Sequence, residues 1–406
     1  MQSRRVSRDT TVALVAILLL AFNLRPVATS VGPVLEQIST DLSMSDAMSG
    51  LLTSLPPLSF AVFGAMAPAI SNRIGPHRTI GVALVALVVG QALRAWVPNS
   101  WGFLLLSVVA LGGMALSNVL LPTLVRIHFP RRIGLATSLY SLTLTMGTAV
   151  AGAVTYPLAE ALGGWRGAFT AITVVAVAAV ICWLPMLRYS RSEVPSLGGE
   201  RHYSLRDVAR SRMGWAMALL FGIQSGQAYT VFGWLPRFYT DAGLDPTLAG
   251  LMLGITTGVG VVPAFLIPIY VARKGQPVGL FLLIMGCLAS GYLGLLFAPT
   301  TVPWVWAILM ALGISSFPLL LALLGMRAWS ASGTAALSGF TQSVGYLLAS
   351  ASPLLVGVLR GATGSFTLSI SLQLILVIPM TILGIQCCKS WFIEDELAST
   401  VPAPRP

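Results

Sequence analysis

A chain of 406 residues with 56% hydrophobic and only 9% charged side chains cannot cover a globular surface with polar groups, since soluble domains carry roughly 25% charge. Its mean hydropathy is +0.84, and apolar runs recur along the whole length at about the 20 residues a helix needs to cross a bilayer. The net charge of +11 does not point to nucleic acid, because the basic residues fall in short segments between apolar runs rather than in a patch interleaved with aromatics.

In chain order, Arg4, Arg5 and Arg8 precede the first apolar stretch. That stretch runs from Thr11 past the usual length of a signal-peptide core and has no small-residue cleavage site, so it is predicted to be a membrane helix. Hydropathy and polar breaks then predict spans at 11–36, 47–71, 79–97, 101–127, 133–160 and 165–187. A polar segment follows, rich in arginine and containing Pro195, Gly198 and Gly199, and six more spans are predicted at 213–239, 246–271, 277–298, 302–327, 333–360 and 365–390. An even number of spans puts both ends on one side. Most of the arginines and lysines sit on that side, among them Arg73, Arg126, Arg188, Arg273, Arg327 and Lys389. Arg94, Arg166, Arg237 and Arg360 are expected at the opposite helix ends. Both termini are therefore expected in the cytoplasm. Cys182 and Cys287 lie within apolar runs and Cys387-Cys388 at the end of the last one, as packing residues rather than a disulfide framework.

The polar segment divides the chain near its middle, and the halves match. Thr40-Asp41 followed by Gly50-Leu51 recurs as Thr240-Asp241 followed by Gly250-Leu251. Pro68, Arg73 and Gly75 recur as Pro268, Arg273 and Gly275, and Ala110-Leu111-Gly112 with Arg126 recurs as Ala311-Leu312-Gly313 with Arg327. Matches in series at one offset and one predicted depth indicate duplication. The expected fold is all-α and integral to the membrane: twelve transmembrane helices in two parallel six-helix repeats. An N-terminal six-helix bundle would cover 1–187, a cytoplasmic linker 188–212 and a C-terminal six-helix bundle 213–406.

Over essentially its whole length the chain resembles the major facilitator superfamily. The loop Asn72-Arg73-Ile74-Gly75-Pro76-His77-Arg78 is similar to that superfamily's signature between helices two and three, with Asn72 at the usual Asp position and Pro68 at the usual first Gly. Asn72, Arg73, Gly75 and Arg78 are thus the expected cytoplasmic loop motif. The second copy, Ala272-Arg273-Lys274-Gly275, departs further. More narrowly, Asn23-Leu24-Arg25-Pro26, Thr29-Ser30-Val31-Gly32-Pro33 and Gly50-Leu51-Leu52-Thr53-Ser54-Leu55-Pro56 resemble the cyanate permease and 2-nitroimidazole transporter family. The resemblance implies transport of small, often nitrogen-containing solutes across a bacterial inner membrane.

Arg25 carries the most information. It lies roughly 21 Å into a helix crossing a core of about 30 Å, at a depth where insertion scales give a cost of about 2.5–3.5 kcal/mol. Glu36 is roughly 16 Å further along the same helix, and no other Asp, Glu or His falls near the midplane of a predicted span. Two readings stand: Arg25 tied to backbone carbonyls, one of them freed at Phe22 by Pro26, or Arg25 as a cation lining a cavity that receives an anionic or strongly electronegative solute. Polar residues at similar depth complete the candidate substrate set: Asn23 and Thr29 on the same helix, Asn118, Gln224, Gln227, Gln342 and Tyr346. Tyr140, Tyr156 and Tyr229 are candidate gates or cavity walls. Prolines and glycines within the spans suit helices that kink and cross closely.

His77, His128 and His202 all fall in predicted cytoplasmic segments, so they build neither a metal cluster nor a nucleophile–base pair, and no Walker sequence is present. Neither an enzyme nor a cofactor is expected. The expected partners are a small-molecule solute and the bilayer, with the protein a monomer. The expected function is secondary active or facilitative transport of a small anionic or nitrogen-containing solute by alternating access, with Arg25 as main ligand. The alternatives are an exporter of neutral nitroheterocycles or other drugs, favoured by a larger and more aromatic cavity, and a solute sensor without flux.

Overall fold

The computed structural model describes residues 2–188 and 203–400, and among them all regular structure is helical. Eleven helices are long and apolar enough to cross a membrane. In chain order they are α1 (Thr11–Asp41), α2 (Asp46–Ile74), α3 (Pro76–Arg94), α4 (Ser100–His128), α5 (Leu135–Ala161), α6 (Trp165–Arg188), α8 (Pro246–Val271), α9 (Val278–Phe297), α10 (Pro303–Met326), α11 (Ser332–Thr363) and α12 (Thr367–Cys388). With α7 (Arg212–Asp241), a helix of 30 residues, the set is twelve. α7 is the polar member, carrying Gln224, Ser225, Gln227, Tyr229 and Thr230, and every residue from 224 to 231 is buried. Over that stretch the helix is enclosed by protein and needs no lipid-facing apolar stripe, whereas Trp215 and Leu219 near its start are exposed.

The polar breaks act as helix starts. Ser45, Asn99, Ser211, Asp245 and Ser330 each accept a hydrogen bond from a backbone N–H two or three residues on, at the heads of α2, α4, α7, α8 and α11. The tight turn between α2 and α3 needs Gly75 at φ +88°, and its counterpart Gly275 sits at φ +70°. Of the proposed linker, residues 189–202 lie outside the described residues. Its end forms a short helix, Leu205–Val208, closed by a capping box in which Ser204 and Asp207 bond reciprocally.

The duplication seen in sequence appears as pseudo-symmetric packing. Gly50 on α2 lies against Leu354 and Gly357 of α11, and its counterpart Gly250 on α8 lies against Gly152 of α5. α1 and α7 cross where Gly32 meets the backbone of Phe232 and Gly233. These contacts all lie in the membrane half remote from the termini. Trp234 Nε1 donates to Thr53 Oγ1 across the halves at 2.9 Å, and Arg237 reaches Ser39 at 3.4 Å and Asp46 at 3.7 Å. Toward the termini's face, α2 past Gly64 packs on α3 and α4 of its own half, and α8 past Val261 packs chiefly on α10. The halves are joined on one side of the membrane and diverge toward the other.

Two basic residues depart from the exposed positions expected of them. Arg327 is buried, donating to the carbonyls of Gly275 at 3.1 Å, Cys388 at 2.9 Å and Cys387 at 3.3 Å. It neutralises the ends of α8 and α12, whereas its repeat counterpart Arg126 is exposed. The other is Arg94, described below. A C-terminal helix, Ile393–Thr400, supplies two caps: Glu394 accepts from the backbone of Trp329 and Ser330, and Glu396 from that of Arg212 and Met213. His77, expected in a loop, is buried at the head of α3 with its Nε2 2.8 Å from that of His128, and His202 lies outside the described residues.

Candidate functional site

The site begins with the interruption of α1. Pro26 has no N–H and its ring excludes the Phe22 carbonyl from the helical ladder. The helix stops at Leu24 and restarts at Pro26. The Arg25 carbonyl takes the bonds of the new turn, accepting from the backbone of Ala28 and Thr29 and from Thr29 Oγ1, each at 3.0 Å. α5 approaches the freed Phe22 carbonyl so closely that a methyl at Gly147 would fall on it. The Val27 carbonyl receives Arg94 Nη2 at 2.7 Å. Thus other helices close over the break, and Arg94 supplies a donor to one of its carbonyls.

Arg25, half-buried at this break, projects its guanidinium over Phe60 of α2 at 5.9 Å from the ring centroid. The Tyr229 phenol of α7 lies beside it, and its field extends to Tyr346 of α11. No carboxylate lies within 4 Å of it among the described residues. The aromatics form one cluster drawn from both halves. Tyr346 stacks on Phe60 at 4.9 Å and 21°, meets Phe221 edge-on at 5.0 Å and lies 6.4 Å from Tyr229. Phe317 of α10 and Phe232 extend the cluster on either side. Such a surround offers a cation, π faces and phenol hydroxyls to one planar or anionic guest.

Beyond Tyr229, away from the termini, lies a cavity of about 20 Å³ between α1, α2, α4 and α7. Thr53 and Tyr229 line it, and so does Arg94. Arg94 was expected at a helix end facing water. It is instead fully buried, with Nη1 on Ser107 Oγ at 3.2 Å and its guanidinium over Phe169 and Phe103. An arginine three residues inside a predicted span was the available signal; its direction was not.

Of the residues singled out in sequence, Arg25, Tyr229 and Tyr346 come together. The others are spent locally or sit apart. Asn23 is buried and donates to Leu19 O at 2.8 Å on its own helix. Gln224 donates to Ile314 O at 3.2 Å and Gln227 to Gln373 O at 3.1 Å, tying α7 to α10 and α12. Gln342 donates to Ser338 Oγ one turn back, at 2.8 Å. Asn118 is half-buried on α4 and Tyr140 half-buried on α5. Tyr156 sits near the remote end of α5 in the field of Glu160, Asp245 and Glu36. Asn72, Arg73 and Arg78 are exposed around Gly75. Phe60 and Phe221, which complete the aromatic surround, carry no sequence signal that separates them from other core aromatics.

The Major Facilitator Superfamily model matches residues 14–353. Among curated relatives, the uncharacterized transporter YycB of Bacillus subtilis is 35% identical, with 91% of each chain covered. The 2-nitroimidazole transporter of Escherichia coli is 33% identical over 93% of this chain and 95% of its own length. The cyanate transport protein CynX of Escherichia coli is 27% identical over 92% and 96%. In fold, the chain is similar to a bacterial homolog of the human lysosomal transporter Spinster in an inward-facing, occupied conformation, with TM-score 0.77, 14% identity, and 98% of this chain and 99% of that one covered. The chain is a multi-pass membrane transporter that belongs to the major facilitator superfamily, in the branch that holds the cyanate and 2-nitroimidazole transporters.

Proposed function

We propose that this transporter moves a small anionic or nitrogen-containing solute by alternating access, with Arg25 as its principal ligand. The observation that carries this is a mid-membrane guanidinium with no carboxylate within 4 Å among the described residues, facing aromatics from both halves. Arg25 supplies charge and planar donors, Tyr229 a phenol that orients the guanidinium, and Phe60 and Tyr346 a π surface. The guest bridges helices of the two halves, so its arrival and departure are coupled to their relative position. With both termini cytoplasmic, as the loop charges imply, the arrangement is open inward. The contacts around Gly50, Gly250 and Trp234 then form the outer closure, which must part for the site to face outward. The two bundles, 1–187 and 213–406 about a 188–212 linker, are the moving bodies, in a monomer in the inner membrane. No carboxylate relays a proton at the midplane; transport is facilitated diffusion, exchange, or symport in which a proton rides on the solute.

The aromatic cluster also favours a second reading, export of a neutral nitroheterocycle. Its ring would stack where Phe60 and Tyr346 meet while nitro oxygens accept from Arg25. The 33% identity to a 2-nitroimidazole transporter supports it. Both readings use the same arginine and differ in the guest. A thermal-shift screen of cyanate, related small anions and 2-nitroimidazole on purified protein, followed by vesicle flux with the best ligand, tests them. Stabilisation and flux with either class, both lost in Arg25→Gln, is the expected result. Unchanged affinity in Arg25→Gln overturns the assignment, and binding without flux turns it toward a sensor.

A further inference from the structure

Two prolines divide the half of α1 remote from the termini. Pro26 ends its first part, and Pro33 has no N–H to return to the Thr29 carbonyl. Between them stand one α-turn, Pro26–Thr29, and a bend that leads into the 3₁₀ turn Gly32–Val34. At the bend the Val31 N–H goes to Ala28 O at 3.4 Å and not one residue further back. The Val27 carbonyl therefore has no place in the helical ladder, and Arg94 Nη2 takes it up at 2.7 Å.

The same turn carries the solute arginine. Arg25 O accepts from the backbone of Ala28 and Thr29 and from Thr29 Oγ1, so the Arg25 backbone and Val27 belong to one hydrogen-bonded unit. At the other end Gly32 lies so close to the carbonyls of Phe232 and Gly233 that a Cβ would not fit. The segment is thus held twice, by α7 of the opposite half and by Arg94 of its own. When the outer closure parts, Gly32 leaves α7. The Arg94 tie is internal to the N-terminal half and stays.

Arg94 is itself immobile. It is fully buried, with Nη1 on Ser107 Oγ of α4 at 3.2 Å and its guanidinium over Phe103 of α4 and Phe169 of α6. No carboxylate stands within 4 Å among the described residues, and its Nε–H has no acceptor. Burying a charge among neutral groups is unfavourable, and a neutral donor could satisfy a single carbonyl. A charge-assisted bond is about twice as strong as a neutral one, which suits a carbonyl that must stay held while the helices around it move.

We propose, on the reading of Arg25 as solute ligand, that Arg94 is a positioning residue: by holding Val27 O it fixes segment 26–33 and so keeps Arg25 turned to the guest. Arg94 touches no solute. It acts through the backbone of α1 alone.

Hydrogen exchange on ligand-free, full-length protein in nanodiscs tests the tie. Arg94→Met keeps most of the bulk and loses the donors, and should speed exchange over residues 24–34 at least tenfold, with α6 and the C-terminal half unchanged. Arg94→Lys should give a severalfold rise, because one amine serves Val27 or Ser107 but not both, and this variant decides if Arg94→Met does not fold. Binding of cyanate and of 2-nitroimidazole tests the consequence. Arg94→Met should weaken the tighter probe about tenfold, yet add nothing to Arg25→Gln in the double variant, since groups acting through one another are not additive. A merely structural role predicts additive losses. Unchanged binding in Arg25→Gln defeats the solute assignment while exchange still decides the tie, and exchange alone decides if neither probe binds. No rise over 24–34, a rise spread over the whole N-terminal half, or an additive double variant each overturns the role of Arg94.

Discussion

Arg25 and Arg327 are both arginines drawn into a largely apolar helical protein, and the fold treats them in opposite ways. Arg327 is sunk among the carboxyl ends of two helices, and three carbonyls take its donors. Helix C-termini carry partial negative charge, so those carbonyls offset the cation as well as bonding to it. Arg25 stands beside a broken helix whose loosened carbonyls go elsewhere: Phe22 O faces Gly147 and Val27 O binds Arg94. Its neighbours are ring faces and one phenol. An arginine saturated by helix ends holds a fold together. One given only π faces and a hydroxyl retains donors for a guest, and that difference can be tested by the same substitution at both places.

The largest expected effect is on binding at Arg25. Arg25→Gln removes charge-assisted hydrogen bonds worth about 1.5–3 kcal/mol each, so affinity for the best ligand should fall at least tenfold while the Tm of the ligand-free protein is unchanged. Arg25→Lys should retain part of the affinity, keeping charge but losing the planar fork. Arg327→Gln should do the reverse. Leaving three helix-end carbonyls without their cation should cost about 3 kcal/mol of stability and lower Tm by several degrees, with ligand affinity unaltered in the folded fraction. Thermal shift with and without ligand measures both. A matching pattern in the two variants would erase the distinction between them.

Between these extremes stands Tyr229. Tyr229→Phe keeps the ring against Phe232 and Tyr346 but removes the hydroxyl beside Arg25. The hydroxyl acts only by orienting the guanidinium, an indirect effect of about 1 kcal/mol, so affinity should drop about fivefold, with the order of ligand preference preserved. Titration of the variant against two ligands of different shape checks this, and a reordered preference would make Tyr229 a selector rather than an orienting group.

How far these features were legible in the sequence depends on what lipid demands. Long apolar helices are imposed by the solvent, so the spans, the duplication at Gly50 and Gly250 and the break at Pro26 could be read directly. Depth is readable too, and it puts Arg25 and Tyr346 in one candidate set, with Tyr229 read only as a gate or cavity wall. Direction around a helix is not. From 224 to 231 α7 is buried on every side, so no lipid-facing stripe orients that stretch, and Gln224 and Gln227 turn toward α10 and α12 while Tyr229 turns to Arg25. Arg94 shows a different limit. An arginine near a helix end ordinarily extends to water, but here a carbonyl loosened 67 residues earlier in the chain draws it inward. Nothing local records such a partner.

The smallest expected effect lies at the closure itself. Trp234 Nε1 donates to Thr53 Oγ1 across the halves at 2.9 Å, beside the glycine–backbone contacts and the reach of Arg237 to Ser39 and Asp46. Trp234→Phe leaves an aromatic ring there, against Phe366, and removes that single bond. A change of about 1 kcal/mol in one conformational state and not the other shifts their ratio about fivefold, toward the form in which the remote face is open. Such a shift is too small to alter Tm appreciably. It is readable as accessibility: a single cysteine in place of Leu52, on the wall of the closed cavity, in a background free of other cysteines, should react severalfold faster with an impermeant thiol reagent added from outside. The closure predicts that the rise is confined to this face and is suppressed by ligand bound at Arg25. An equal rise for a cysteine at Ser71, on the diverging side, would mean that the substitution loosened the whole molecule, and that this bond does not distinguish the joined side from the open one.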